Sequence, residues 1–145
     1  MKEYNTGMNE FSGVKVALIL NDSLITIQRD DNPDIRWPNL WELPGGGREN
    51  DETPEECALR EIQEEIGLKL DAQSFVWKKQ WPAMHDPSQL AWFLVAKIKE
   101  SDVAAIKLGD EGRAWNIMRI EDFLSREDSV PLLKPRLQDY LNYNS

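Results

Sequence analysis

The run TPEECALREIQEEIG, Thr53 to Gly67, constrains the fold more than any other stretch, because every signal in it reads as helix. Thr53 fits the N-cap, Pro54 suits the first helical position, and Glu56 completes a T-x-x-E capping box. Gly67 is the expected stop. Ala58, Ile62 and Ile66 fall at i, i+4 and i+8 as an apolar stripe, with Leu59 beside it. Glu61, Glu64 and Glu65 project a quarter turn or more away from that stripe. At about 100° per residue these three carboxylates share one third of the helix circumference. Like charges at that spacing cost roughly 0.2–0.5 kcal/mol per pair. A hard divalent cation removes the cost, since Mg²⁺ and Mn²⁺ prefer oxygen ligands and acids one turn apart converge on one point. The plainer reading of an acidic helix face is a solvated surface.

The acid is concentrated. The chain carries 26 acidic and 17 basic residues for a formal net charge of -9, and Gly45–Leu68 holds eight of the acids (Glu49, Asp51, Glu52, Glu55, Glu56, Glu61, Glu64, Glu65) against Arg48 and Arg60. Such a surface disfavours duplex DNA or long RNA as a partner. A small polyanion can still bind where divalent cations screen the acid. The single cysteine, Cys57, cannot form an intramolecular disulfide and fits a reducing cytoplasm. No apolar run approaches membrane-spanning length, and the N-terminus MKEYNTGMNEFSG lacks the apolar centre of a signal peptide. The expectation is one domain over residues 1–145, cytoplasmic, monomeric or homodimeric.

Around the helix the pattern is mostly strand. VKVALIL and LITIQ flank the turn signal NDS as a hairpin, and RDDNPDIRWPN is a polar loop. LWELP is a short strand leading into the glycines at 45–47. SFVWKKQW and LAWFLVAKI read as strands around the loop PAMHDPSQ, and RAWNIM as a later one. IEDFLS and KPRLQDYLNY read as helices. Strands outnumber separated helices, which favours a mixed α/β (α+β) architecture over a doubly wound parallel sheet.

PGGGREN brings bare backbone close to the acidic helix, so a main-chain carbonyl there can approach a metal or a phosphate. Glu52 precedes Arg60 by eight residues, close enough in a loop-to-helix turn for an ion pair. From Gly46 to Leu68 the chain reads G-x5-E-x7-R-E-I-x-E-E-x-G-L. This matches every fixed position of the Nudix box, and the chain resembles a Nudix hydrolase of the MutT type. The resemblance implies an α/β/α sandwich, a mixed sheet with helices on both faces, whose catalytic loop–helix–loop holds Mg²⁺ or Mn²⁺. It makes Glu61, Glu64 and Glu65 metal-binding and water-orienting carboxylates, with the Gly45 carbonyl a further ligand. It makes Glu52 and Arg60 the pair that positions Glu61. It asks for one more acid from a later loop, for which LGDEGRAW offers Glu111 first and Asp110 second. The proton acceptor is Glu61, Glu64 or Glu111.

The activity implied is metal-dependent hydrolysis of a P–O–P linkage in a nucleoside diphosphate derivative, a nucleoside triphosphate or a nucleotide sugar. The alternative is a binding module that keeps the fold and senses a nucleotide metabolite; the full set of box carboxylates argues against it. A cation-binding protein of the EF-hand kind explains neither Arg60 nor the glycines. For substrate contacts the candidates are Arg29 at the end of the second strand, Trp41 and Gly46. Trp37 and Trp41 flank the loop before the box, where packing competes with stacking on a base. His85 reads as a solvent-exposed loop residue. Cys57, in the first helical turn, reads as ordinary despite the helix dipole.

Overall fold

The computed structural model describes residues 10–145; most of the polar N-terminal stretch lies outside them. In chain order the elements are β1 (Gly13–Leu20), β2 (Ser23–Gln28), β3 (Trp41–Glu42), β4 (Gly45–Gly47), α1 (Pro54–Ile66), β5 (Phe75–Pro82), β6 (Leu90–Lys97), α2 (Glu100–Ala104), β7 (Ala114–Arg119), α3 (Ile120–Ser125) and α4 (Leu133–Tyr143). The strands form one mixed sheet whose path runs β3-β2-β1-β6-β5, with β7 on the far side of β2. β1 and β6 are parallel, and the other pairs are antiparallel.

β1 is central, and its alternation divides the core. Val14, Val16 and Leu18 join Trp92, Leu94 and Ala96 of β6 against Ala58, Ile62 and Ile66 of α1. Ala17 and Ile19 join Phe93 and Val95 against Phe123 of α3 and Leu133, Leu137 and Tyr140 of α4. With both faces covered, β1 and β6 are apolar almost throughout, as strands buried on two sides must be. The stripe predicted on α1 is the buried one, and Leu59 beside it is half-buried.

The ends of α1 follow its sequence signals. Glu56 N–H donates to Thr53 Oγ1 (3.1 Å) and Thr53 N–H to Glu56 Oε1 (2.9 Å), closing the capping box. Gly67, at φ +66°, ends the helix with its N–H on Gln63 O. Two local readings change. The glycine triplet, expected as flexible backbone, is strand β4, which pairs with β1 on the edge that β1 elsewhere gives to β2. The five-residue α2 was not foreseen, being too short to show a helical period. Among the described residues no helix is long and apolar enough to cross a membrane.

Candidate active site

β4 lies along α1, from Cys57 near its start to Glu65 near its end, and the acids meet there. Gly45 N–H donates to Glu65 Oε1 at 2.7 Å. Val16 N–H bonds Pro44 O and Arg48 N–H bonds Ser12 O. In an antiparallel ladder of that phase Lys15 and Gly45 are a non-hydrogen-bonded pair, so β1 does not claim the Gly45 carbonyl. Glu61 lies over Gly46: a Cβ there would sit 2.4 Å from Glu61 Oε1, so a larger residue would displace that carboxylate from its place beside Arg60.

Arg60 organises the rest. It makes a fork to Glu52, Nε to Oε2 at 2.7 Å and Nη2 to Oε1 at 3.0 Å, and Nη2 also reaches Gly47 O at 2.7 Å. Its Nη1 donates to Glu61 Oε2 (2.9 Å) and Glu64 Oε1 (3.2 Å). Glu52 in turn accepts Glu49 N–H (2.9 Å), while its carbonyl accepts Arg48 Nε (2.9 Å). One guanidinium thus ties the loop Gly47–Glu52 to the helix. The bond from Arg60 holds the Glu52 carboxyl down to about 2.

The loop after α2 supplies the remaining acids. Lys107 N–H and Gly109 N–H bond Ile66 O and Glu65 O, satisfying carbonyls that a helix end leaves open. Gly109 approaches so closely that a Cβ on it would meet Glu64 O at 2.3 Å. This clamp sets Asp110 and Glu111 across an open cleft from Glu61, Glu64 and Glu65. Burial pushes Glu65 up to about 7, with Lys15 and the Gly45 N–H opposing, and burial also raises Glu61. As they stand, no three of these side chains among the described residues close around a point as a metal cage. Arg60 holds two of them. The donor set nevertheless fits a hard cation: oxygens only, two carboxyls raised by burial, and a cleft facing them.

Two charged residues beside this cleft, Glu42 and Lys15, were not singled out; Arg29, which was, joins them. Glu42 is buried and accepts Lys15 Nζ at 2.7 Å and Arg29 Nη1 at 3.1 Å. Arg29 also donates from Nε to Arg36 O (2.9 Å). It borders both the acidic side and a second cavity on the other side of Gly46, lined by Lys15, Trp37, Met84, His85 and Arg136 among others. Trp41 is not among the cavity's lining residues; it packs on the second core and is pinned by Trp41 N–H to Asp128 O and Val130 N–H to Trp41 O. His85 is exposed, its Nε2 3.2 Å from Gln89 Oε1. Cys57 is buried with Sγ near Gly46 O and Gly47 O, and burial pushes the thiol up to about 12, against the downward pull of a helix dipole. The signals for Gly109 and Glu42 were visible as letters in LGDEG and WELPGG, but nothing local marks what they approach.

The profile of the NUDIX domain family matches residues 11–140. "Nudix hydrolase 25" of Arabidopsis thaliana is 40% identical over 153 aligned positions, covering 88% of this chain and 82% of its own. The m7GpppN-mRNA hydrolase NUDT17 of Bos taurus is 37% identical over 84 residues, 57% of this chain; the chain spans 28% of that relative's length. A MutT protein from Methanosarcina mazei Go1 superposes with a TM-score of 0.70 over 94% of this chain and 97% of its own, at 17% identity, a likeness of fold.

Proposed function

The chain belongs to the NUDIX domain family, and on that premise we propose that it hydrolyses a P–O–P linkage in a nucleoside diphosphate derivative with Mg²⁺ or Mn²⁺ bound. The observation that carries this reading is the facing of Glu61, Glu64 and Glu65 by Asp110 and Glu111 across one cleft, with bare backbone at Gly46 beside it. Glu61, Glu64, Glu65, Glu111 and the Gly45 carbonyl are the groups to hold the cation. When bound, the cation neutralises diphosphate charge and makes a water acidic enough to attack phosphorus.

The chain's own residues do the rest. Gly46 and Gly47 offer a side-chain-free edge along which phosphates approach. Arg60 fixes Glu61 and the loop through Glu52. Arg29, which borders both sides, and Lys15, which lines the second cavity, bring positive charge to the phosphate chain. A carboxylate among Glu61, Glu64 and Glu111 takes the proton of the attacking water.

A small nucleotide suits the site better than a polymer. The second cavity is about 260 Å³, near the lower end for small-molecule sites, and the chain's net charge of -9 repels a long phosphate backbone. A nucleoside triphosphate or a nucleotide sugar is the substrate expected, and the setting a reducing cytoplasm. The test is a chromatographic screen for nucleotide products over nucleoside triphosphates, ADP-ribose, dinucleoside polyphosphates, nucleotide sugars and capped RNA. Metal-dependent turnover that collapses in both Glu64→Gln and Glu65→Gln supports hydrolysis. Tight nucleotide binding with no turnover on any of them sinks it in favour of a sensing module.

A further inference from the structure

Arg136 lies on α4 with 4% of its surface exposed, and it lines the cavity beside β4. A guanidinium carries five N–H donors. Among the described residues its partners are one carbonyl, Pro82 O at 2.6 Å from Nη2, and the Trp81 ring at 5.7 Å. Among the described residues no carboxylate compensates it, and burial pulls its pKa down. A buried cation left with spare donors is costly unless a ligand supplies the acceptors.

The opposite character sits at Trp37. Its backbone is at φ +55°, a conformation that a bulky residue adopts only at a cost, and the following Pro38 adds to that cost. Arg36 lies over the Trp37 ring at 4.0 Å, donates from Nη1 to Met84 O at 2.7 Å and has its own carbonyl held by Arg29. A strained aromatic braced in this way forms a flat wall, and guanidinium and indole planes are both surfaces on which bases stack. Among the described residues no aspartate or glutamate lines the cavity, although the chain is strongly acidic.

Resting on the nucleotide reading above, we propose that this cavity receives a guanine base, laid against the Arg36–Trp37 wall and read at O6 and N7 by Arg136. Guanine presents two adjacent acceptors on that edge, which the guanidinium fork matches; adenine and cytosine present an amino donor there, and uracil a single acceptor. The diphosphate then extends past Lys15 and Arg29 along Gly46 towards the carboxylates.

The experiment is calorimetric titration of the wild-type chain with GMP, AMP, CMP and UMP, which requires no turnover. GMP is expected to bind at least roughly tenfold tighter than AMP. Arg136→Lys keeps the charge and loses the fork, so GMP affinity falls to that of AMP while the melting midpoint holds. Trp37→Ala weakens all four by roughly tenfold without changing their order. Equal affinities in the wild type, as a phosphate held by Arg136 would give, overturn the proposal. So does absence of binding, or a guanine preference that survives in Arg136→Lys. GMP binding without turnover in the screen would overturn hydrolysis and leave the base subsite standing; equal turnover of all four nucleoside triphosphates would do the reverse.

Discussion

On one side of β4 the lining side chains are Glu61, Glu64, Glu65, Asp110 and Glu111; on the other, Lys15, Arg29, Arg36 and Arg136 surround the cavity without an acid among them. The acidic side is built almost entirely from one helix and the loop clamped to its end. The basic side draws on β1, the loops before β3 and after β5, and α4. The two differ in what they demand of the fold. Carboxylates that share a cation must be close in space, and a helix turn makes them close in sequence. A recognition cavity has no such economy, so its residues come from wherever the sheet brings them together. On the proposals above, the acid side serves reaction and the basic side recognition, with a strip of bare backbone between.

Single substitutions can separate the two. Glu64→Gln is expected to lower kcat by roughly 10²–10⁴-fold while leaving GMP affinity in a metal-free titration unchanged. Should both fall together, the two sides form a single site and the contrast fails. Gly46→Ala places a Cβ against the Glu61 carboxylate, so kcat drops by about 100-fold with a small change in melting midpoint. An alanine variant of full activity would mean that Glu61 moves freely and that Arg60 does not hold it.

Arg60→Lys cannot reproduce the fork to Glu52, and the pair is part-exposed, so a loss of about 1–2 kcal/mol in urea unfolding at pH 7 is expected. Glu52 is depressed from 4.5 to about 2, so the stability it contributes is present above pH 4.5 and lost as pH falls towards 2. Across that window the wild-type curve should converge on that of Arg60→Lys. Glu65 has the opposite sign. Its carboxyl is raised from 4.5 to about 7, so its contribution is full below 4.5 and lost as pH rises through 7. In chelator, wild type should lose stability relative to Glu65→Gln over that range, and Mg²⁺ should restore it at the alkaline end. A flat difference would place Glu65 in water rather than against β4. The smallest effect belongs to the basic side: Trp37→Gly should be more stable than Trp37→Ala by about 1 kcal/mol, because glycine accepts φ +55° without strain.

Legibility in the sequence follows the same division. Helix α1 was readable because Thr53, Pro54, Glu56 and Gly67 carry its ends within the run itself, and the structure uses each as read. β1, β2, β5, β6 and β7 were readable as apolar or aromatic runs between turn signals, within a residue or two. β4 was not, since a glycine triplet has no strand propensity; only its register with Gly13–Lys15 makes it one. At the candidate site, Glu61, Glu64, Glu65, Glu52 and Arg60 stood out through fixed spacing on one helix and loop. Glu42, Lys15 and Arg136 did not, because their meaning lies in neighbours 27 and 54 residues away, Lys15 for Glu42 and Pro82 for Arg136. Arg29 and Trp37 were visible as residues, but the sequence could not tell a half-buried brace from a surface side chain.

The parallel pairing of β1 with β6 has a kinetic side. Ser12 and Leu90, joined where these strands begin, are separated by 78 residues, whereas the caps of α1 close over three or four. Loop-closure entropy makes such a distant pairing slow, while a capped helix forms on its own timescale. On refolding, the local contacts of α1 are therefore expected to form faster than the pairing of β1 with β6. The glycine edge, far nearer in sequence to its β1 partners than β6 is, closes earlier by the same measure, and the joining of β1 to β6 completes the sheet.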